Sequence, residues 1–167
     1  MQSEPTCTFR TSVTEADGQH VRDILISSGF FYDFEIDVAE DLVKEYLKSG
    51  EDSGYHFIFA DVEGKTVGYT CFGDIPCTKS SYDIYWIGVH ENQRGKGIGG
   101  LLLREAERKI DELGGNGIYL ETSGKEKYLP TRNFYLKYDY KIEAHIKDFY
   151  DYGDDKVLFV KRLRPNG

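Results

Sequence analysis

The stretch Gln93-Arg94-Gly95-Lys96-Gly97-Ile98-Gly99-Gly100 decides how the rest of the chain is read. Before it lies Ser81–His90, SYDIYWIGVH, a run of β-branched and aromatic residues that reads as a central strand covered on both faces. After it, from Gly97 to Leu113, the residues Ile98, Leu101, Leu102, Ala106, Ile110 and Leu113 recur at helical spacing, with Gly114 as the stop. Glycines in a turn between strand and helix let the backbone approach a ligand and point successive N–H groups at it. The helix N-terminus adds roughly half a positive charge, and Arg94 and Lys96 add fixed charge. The turn is therefore an anion site suited to phosphate or pyrophosphate.

Outward from the turn, Gly117–Thr122 reads as a strand, so strand, helix and strand form a right-handed βαβ unit with parallel neighbours. Upstream, Tyr55–Val62 and Lys65–Phe72 are strands joined by Glu63-Gly64, a tight hairpin. Before them come a strand at Thr8–Val13, a helix capped by Thr14 and stopped at Gly29, and a second helix from a capping box at Asp37 and Glu40 to Lys48. Downstream, Pro130 starts a short helix to about Tyr138, and Lys141–Lys147 and Lys156–Arg162 are closing strands. The 167 residues suit one domain, with 1–7 as a polar tail. No repeat or linker divides them.

Two other phosphate-binding turns fail on their surroundings. A P-loop needs GxxxxGK[ST], but Lys96 precedes its glycine and no Ser or Thr follows. Gly95, Gly97 and Gly100 do satisfy GxGxxG, and Glu121 lies 21 residues further on, as a dinucleotide site would have it. Against that, His90–Arg94 separates strand from first glycine, and the 67 residues after Gly100 are too few for the rest of a doubly wound sheet.

The segment resembles the GNAT family of N-acetyltransferases, whose signature R/Q-x-x-G-x-G/A stands here as Arg94-Gly95-Lys96-Gly97-Ile98-Gly99. The resemblance spans most of the chain, because the element order is similar too. It implies an α/β fold with a mixed central sheet, splayed between the fourth and fifth strands and flanked by helices. It also implies acetyl-CoA as cosubstrate, its pyrophosphate held by Arg94, Gly95, Lys96, Gly97, Ile98, Gly99 and Gly100 and its pantetheine paired with Ile87, Gly88 and Val89. The segment Thr131–Tyr140 resembles the family's helix ending FYxxxGF, which implies that Tyr135 protonates the departing CoA thiolate. Where the family often carries Asn, this chain has Tyr128, so Thr131, one turn before Tyr135, is the candidate to face the cofactor. Asp139 stands in place of the usual Gly.

Acetyl transfer to an amine needs a base, because only the neutral amine has a lone pair. Glu121, on the fifth strand, is the first candidate and Asp83, at the start of the fourth, the second; a water chain to either serves equally. The aromatic, acidic stretches Phe30–Asp41 and Asp148–Asp155 contain no Lys or Arg. By the resemblance they wall the acceptor site, and acid with aromatic suits a small cationic amine; capping acids and core aromatics are the other reading. The expected activity is direct N-acetyl transfer in a ternary complex. A noncatalytic CoA-binding or sensor module, and a different acyl donor, stay open.

A net charge of −8 and a pI near 5.0 disfavour nucleic acid. No run approaches a membrane span and the N-terminal residues lack an apolar signal region, which points to the cytoplasm. Cys7, Cys71 and Cys77 form no disulfide framework or zinc pattern, and the four His are scattered, so no metal is implied. A homodimer is compatible with the chain.

Overall fold

The structure is a computed structural model that describes residues 6–164. Among the described residues seven strands and four α-helices follow one another as β1 (Cys7–Arg10), α1 (Asp17–Ser28), α2 (Asp33–Ser49), β2 (His56–Val62), β3 (Lys65–Asp74), β4 (Ser81–Val89), α3 (Ile98–Glu112), β5 (Gly117–Ser123), α4 (Leu129–Lys137), β6 (Lys141–Asp151) and β7 (Asp154–Arg162). The strand order is β1-β2-β3-β4-β5-β7-β6. Strands β4 and β5 pair in parallel, through Ser81↔Gly117, Tyr82↔Ile118 and Asp83↔Tyr119, whereas β1–β2, β2–β3, β5–β7 and β6–β7 are antiparallel. The expected splay is seen in that short ladder, which uses three residues of a nine-residue β4 and ends at Asp83.

The chain divides into two compact units, one reaching Gly73 and including Tyr85–Arg108, the other made of Asp74–Ile84 and the residues from Lys109 on. In the first, consecutive residues of β3 point to opposite faces. A Cβ at Gly68 would meet Leu102 and Ile98 of α3 at 3.0 and 3.5 Å. The next residue, Tyr69, belongs to the buried cluster with Val21, Ile24 and Leu25 of α1 and Ile36, Ala39 and Val43 of α2. Helices thus cover both faces. In the second unit Ile118, Leu120, Tyr135, Tyr140, Val157 and Phe159 are buried, with the Tyr135 and Phe159 rings 5.3 Å apart.

Several boundaries move, each for a local reason. The strand expected over Thr8–Val13 ends at Arg10, and β1 begins at Cys7, a residue read as tail; residues 1–5 lie outside the described residues. Thr14 does not cap α1. Asp17 turns inward and its carboxylate takes the Thr14 N–H at 2.7 Å, so the helix starts at Asp17. The capping box of α2 is Glu35 accepting from the Tyr32 N–H at 2.8 Å, five residues ahead of the one expected. Asp37 and Glu40 instead receive Arg22, at 2.7 and 2.8 Å. The closing hairpin extends through the acidic, aromatic stretch Asp148–Asp155, turning at Tyr152 and Gly153.

Candidate active site

In the first unit the glycine turn has the geometry its sequence demands. Gly95 and Gly97 hold φ of 77° and 78°, a left-handed backbone that favours glycine, and nothing lies within 4 Å of where either Cβ would be. The turn is therefore an open cradle. Helix α3 begins at Ile98, and the first intrahelical bond runs from Leu101 N–H to Gly97 O at 3.1 Å, leaving the N–H groups before it available to a ligand. Arg94, Gly95, Lys96 and Gly97 are exposed, while Ile98 and Gly100 are buried. The Ile98 side chain is only 5 % exposed, so the backbone N–H is what it has to offer a ligand. The Lys96 ammonium rests on Gln93 Oε1 at 3.1 Å. These groups fit the diphosphate of a CoA thioester.

The strand leading into the turn corrects one expectation. Of the nine residues of β4 only Ile84 is buried, so β4 is central in strand order without being covered on both faces. Ile87 and Val89 are half-buried. Gly88 has a packing role that the sequence did not disclose: a Cβ there would meet Ile24 of α1 at 3.1 Å. The α1–α2 loop is tied to the same region. Ser27 Oγ accepts the Glu91 N–H at 3.0 Å, the Arg94 guanidinium lies 5.7 Å from the Phe30 ring, and Phe31 meets Trp86 edge-on at 5.4 Å.

The second unit holds the catalytic candidates. Tyr135 is buried against Phe134, Tyr140 and Phe159, and burial pushes its pKa up to about 12. Its hydroxyl stays protonated across any working pH, as a proton donor requires. Arg132, on the same helix, donates to the carbonyls of Ser123 and Lys125 at 2.9 and 2.8 Å and so ties α4 to the end of β5. Thr131 is half-buried one turn before Tyr135. Asp139 takes the left-handed conformation, φ 68°, that explains the glycine usual at its position.

Asp83 and Glu121 are brought to one face. Asp83 is the register partner of Tyr119, and Glu121 is two residues further along β5. Burial, and after it the Glu121 charge, push the Asp83 carboxyl up. Glu121 has a partner that no motif announced: Lys156 of β7, with Nζ 3.0 Å from Oε1.

The acidic walls look different once their neighbours are known. In the first, Asp37 and Glu40 hold Arg22, Lys44 reaches Glu40 and Asp41 at 3.2 and 3.6 Å, and Glu35 caps α2. In the second, Asp155 takes His145 Nε2 at 2.6 Å and the Asp148 N–H at 2.9 Å, while Asp154 holds Ser123 and Lys125. Asp148 and Asp151 accept the N–H groups of Gly153 and Tyr152, and Lys156 lies 4.3 Å over the Phe149 ring. The missing cations lie outside the two stretches: Arg22 on α1, Lys44 further along α2, His145 on β6 and Lys125 after β5. Asp33, beside the stacked and exposed Tyr32 and Phe34, is absent from these pairs.

Residues 20–140 match the model of the acetyltransferase (GNAT) family. The chain belongs to this GNAT family. A GNAT-family protein of known structure from Desulfovibrio desulfuricans is 40% identical and superposes with a TM-score of 0.94, over 95% of this chain and 100% of that one. An uncharacterized N-acetyltransferase of Methanocaldococcus jannaschii is 27% identical over 110 residues, 66% of this chain and 67% of its own length. An aminoglycoside 6′-N-acetyltransferase, solved with coenzyme A, shares the fold at 17% identity with a TM-score of 0.75, over 96% of this chain and 99% of that one. Among the described residues no His, Cys, Asp and Glu cluster could hold a metal, and no helix is long and apolar enough to cross a membrane.

Proposed function

We propose that the chain transfers an acetyl group from acetyl-CoA to a primary amine of a small acceptor, by direct attack. The observation that carries this reading is the open turn at Gly95 and Gly97, left-handed at both glycines and followed at once by the N-terminus of α3. Arg94 and Lys96 supply charge to the diphosphate, and the half-buried Ile87 and Val89 offer β4 backbone to pantetheine. The relative solved with coenzyme A is similar in fold over nearly its whole length, which agrees with that cosubstrate.

In the reaction the amine nitrogen bonds to the thioester carbonyl carbon, the carbon–sulfur bond breaks, and the amide and CoA thiol leave. The ammonium proton passes to a carboxylate, for which Asp83 and Glu121 are the candidates. Tyr135 donates a hydrogen bond from its hydroxyl to the departing sulfur, and the CoA thiolate takes its proton from water on release. A free thiol has a pKa near ~8.5, so complete transfer from a phenol at about 12 is uphill in the free protein. Its contribution is a hydrogen bond that strengthens as negative charge gathers on sulfur.

What remains of the acidic walls bears on the acceptor's charge. Carboxylates already paired with Arg22, Lys44, His145 or Lys125 add little attraction for a second cation. Asp33 with Tyr32 and Phe34, and the net charge of −8, favour an amine with an additional positive charge, by an amount that falls with salt.

The test is CoA thiol release from acetyl-CoA across polyamines, amino acids, aminoglycosides and peptide N-termini. Acceptor-dependent release, lost together with CoA binding in Gly97→Val, is the expected result. Tight CoA binding without release for any acceptor would make the chain a CoA sensor; release faster with succinyl-CoA would replace the acyl donor.

A further inference from the structure

The three strands of the second unit that meet beside the parallel ladder place two acids and one base on a single face. Asp83 stands opposite Tyr119, Glu121 follows two residues later, and Lys156 stands opposite Ser123, two residues beyond Glu121. Paired residues of neighbouring strands share a face, so the three side chains project together. The Tyr119 ring turns back toward Gly117, where a Cβ would meet it at 3.0 Å. The charged groups that act on Asp83 are therefore Glu121 from β5 and Lys156 from β7.

The two acids differ in company. Glu121 is 44% exposed at its side chain and accepts the Lys156 ammonium at 3.0 Å. Lys156 is only 15% exposed, its stem covered and its ammonium over the Phe149 ring at 4.3 Å. A largely buried ammonium needs a counter-charge, and removing one partner of such a pair leaves the other uncompensated. A Glu121 that took a proton would lose its charge and strand Lys156. Asp83 has no such obligation: burial and the Glu121 charge push its carboxyl up, and Lys156 acts on it only at longer range.

We propose that Lys156 is a positioning residue that engages Glu121 as its ion-pair partner and leaves Asp83 as the carboxylate that takes the attacking amine's proton. This rests on the acetyl-transfer reading above. It reverses the order in which sequence alone ranks the two acids. The proton moves from the amine nitrogen to an Asp83 oxygen as the nitrogen–carbon bond forms, and returns to water after the amide leaves.

Two single-charge changes test it with opposite signs. Lys156→Met keeps a stem over Phe149 and removes the cation, so Glu121 repels Asp83 unopposed and the Asp83 titration moves up by about 0.5–1 pH unit. Glu121→Gln removes the repulsion and leaves Lys156 facing Asp83, so the titration moves down by a similar amount. Carboxyl carbon NMR of the full chain without substrates reads both shifts. In thiol-release assays the acid limb of kcat/KM follows them, and Asp83→Asn lowers kcat by about 10²–10⁴-fold with the acid limb gone. An Asp83 titration that moves in neither variant overturns the proposal. So does a Glu121→Gln variant that loses the limb while Asp83→Asn keeps it. Should no acceptor support release at all, the acetyl-transfer reading fails, and the NMR shifts then show only whether the charge coupling is real.

Discussion

Asp17 in the first unit and Asp83 in the second are aspartates that leave water for a packed environment, and their surroundings move them in opposite directions. Burial raises both. At Asp17 the rise is outweighed by Arg10, which donates to both oxygens at 2.9 and 2.7 Å, by His20 Nδ1 at 2.9 Å and by the Thr14 N–H at 2.7 Å, holding the carboxyl at about 2. Arg10 continues to Asp61 at 3.0 Å and lies 4.4 Å over the Phe59 ring, so β1, α1 and β2 are joined through one guanidinium. Asp83 gets no comparable set of donors and is pushed up. A carboxylate with every lone pair engaged is a structural element; one left short of donors is available for a proton.

If that contrast is right, the largest effect belongs to Asp17. Asp17→Asn leaves Arg10, 24% exposed, facing a neutral partner, and should cost about 3–5 kcal/mol of stability, read as a lowered denaturant midpoint. The rate per folded molecule should not change. A catalytic loss larger than the stability loss would break the comparison. The wild-type chain gives the same answer by titration. A folded pKa of about 2 against an ordinary 3.8 supplies about 2 kcal/mol that is complete above the ordinary value and is lost as pH falls through 2. Acid unfolding should steepen in that window, and Asp17→Asn should flatten it.

Tyr135 tests the other half. It is buried like a core residue, yet the reading gives its hydroxyl a chemical task. Tyr135→Phe keeps the ring against Phe159 and should lower single-turnover acetyl transfer by about 10²-fold, with acetyl-CoA affinity and the denaturant midpoint little changed. Full single-turnover activity would make Tyr135 a packing residue and move the second unit's chemistry to the acids alone.

The fold and the glycine turn were legible because their signals are local. The period of α3, the Glu63-Gly64 turn with φ of 51° and 75°, and the glycines of the anion site each act within a few residues. What could not be read depended on pairs far apart in sequence. Arg22 consumes acids of α2, and Lys156 reaches Glu121 across a strand boundary. A segment without Lys or Arg looks like a cation pocket until the neighbouring elements deliver their own cations. The helix starts failed at shorter range: Asp17 is recruited inward by Arg10, and Glu35 caps α2 by accepting the Tyr32 N–H where Asp37 was expected to mark the start. Strand β4 misled because an apolar run shows that a strand can be buried, not that it is.

The smallest predicted effect compares the two units at a shared backbone geometry. Helix α1 leaves through Gly29 at φ 70°, and α4 through Asp139 at φ 68°. The α4 exit is closed by the Asp139 N–H to Leu136 O at 3.2 Å and the Tyr140 N–H to Tyr135 O at 3.1 Å, so the left-handed residue is required to bring Tyr140 back into the core. Glycine adopts that conformation freely, whereas a residue with a Cβ pays about 1 kcal/mol, less for Asp than for most. Asp139→Gly should therefore raise the melting temperature by about 2–4 °C and leave the acetyl-transfer rate alone, because the bond to the Tyr135 carbonyl persists. A melting temperature that falls would mean that the Asp139 side chain holds the exit itself, and that the position of Tyr135 depends on a contact outside the helix backbone.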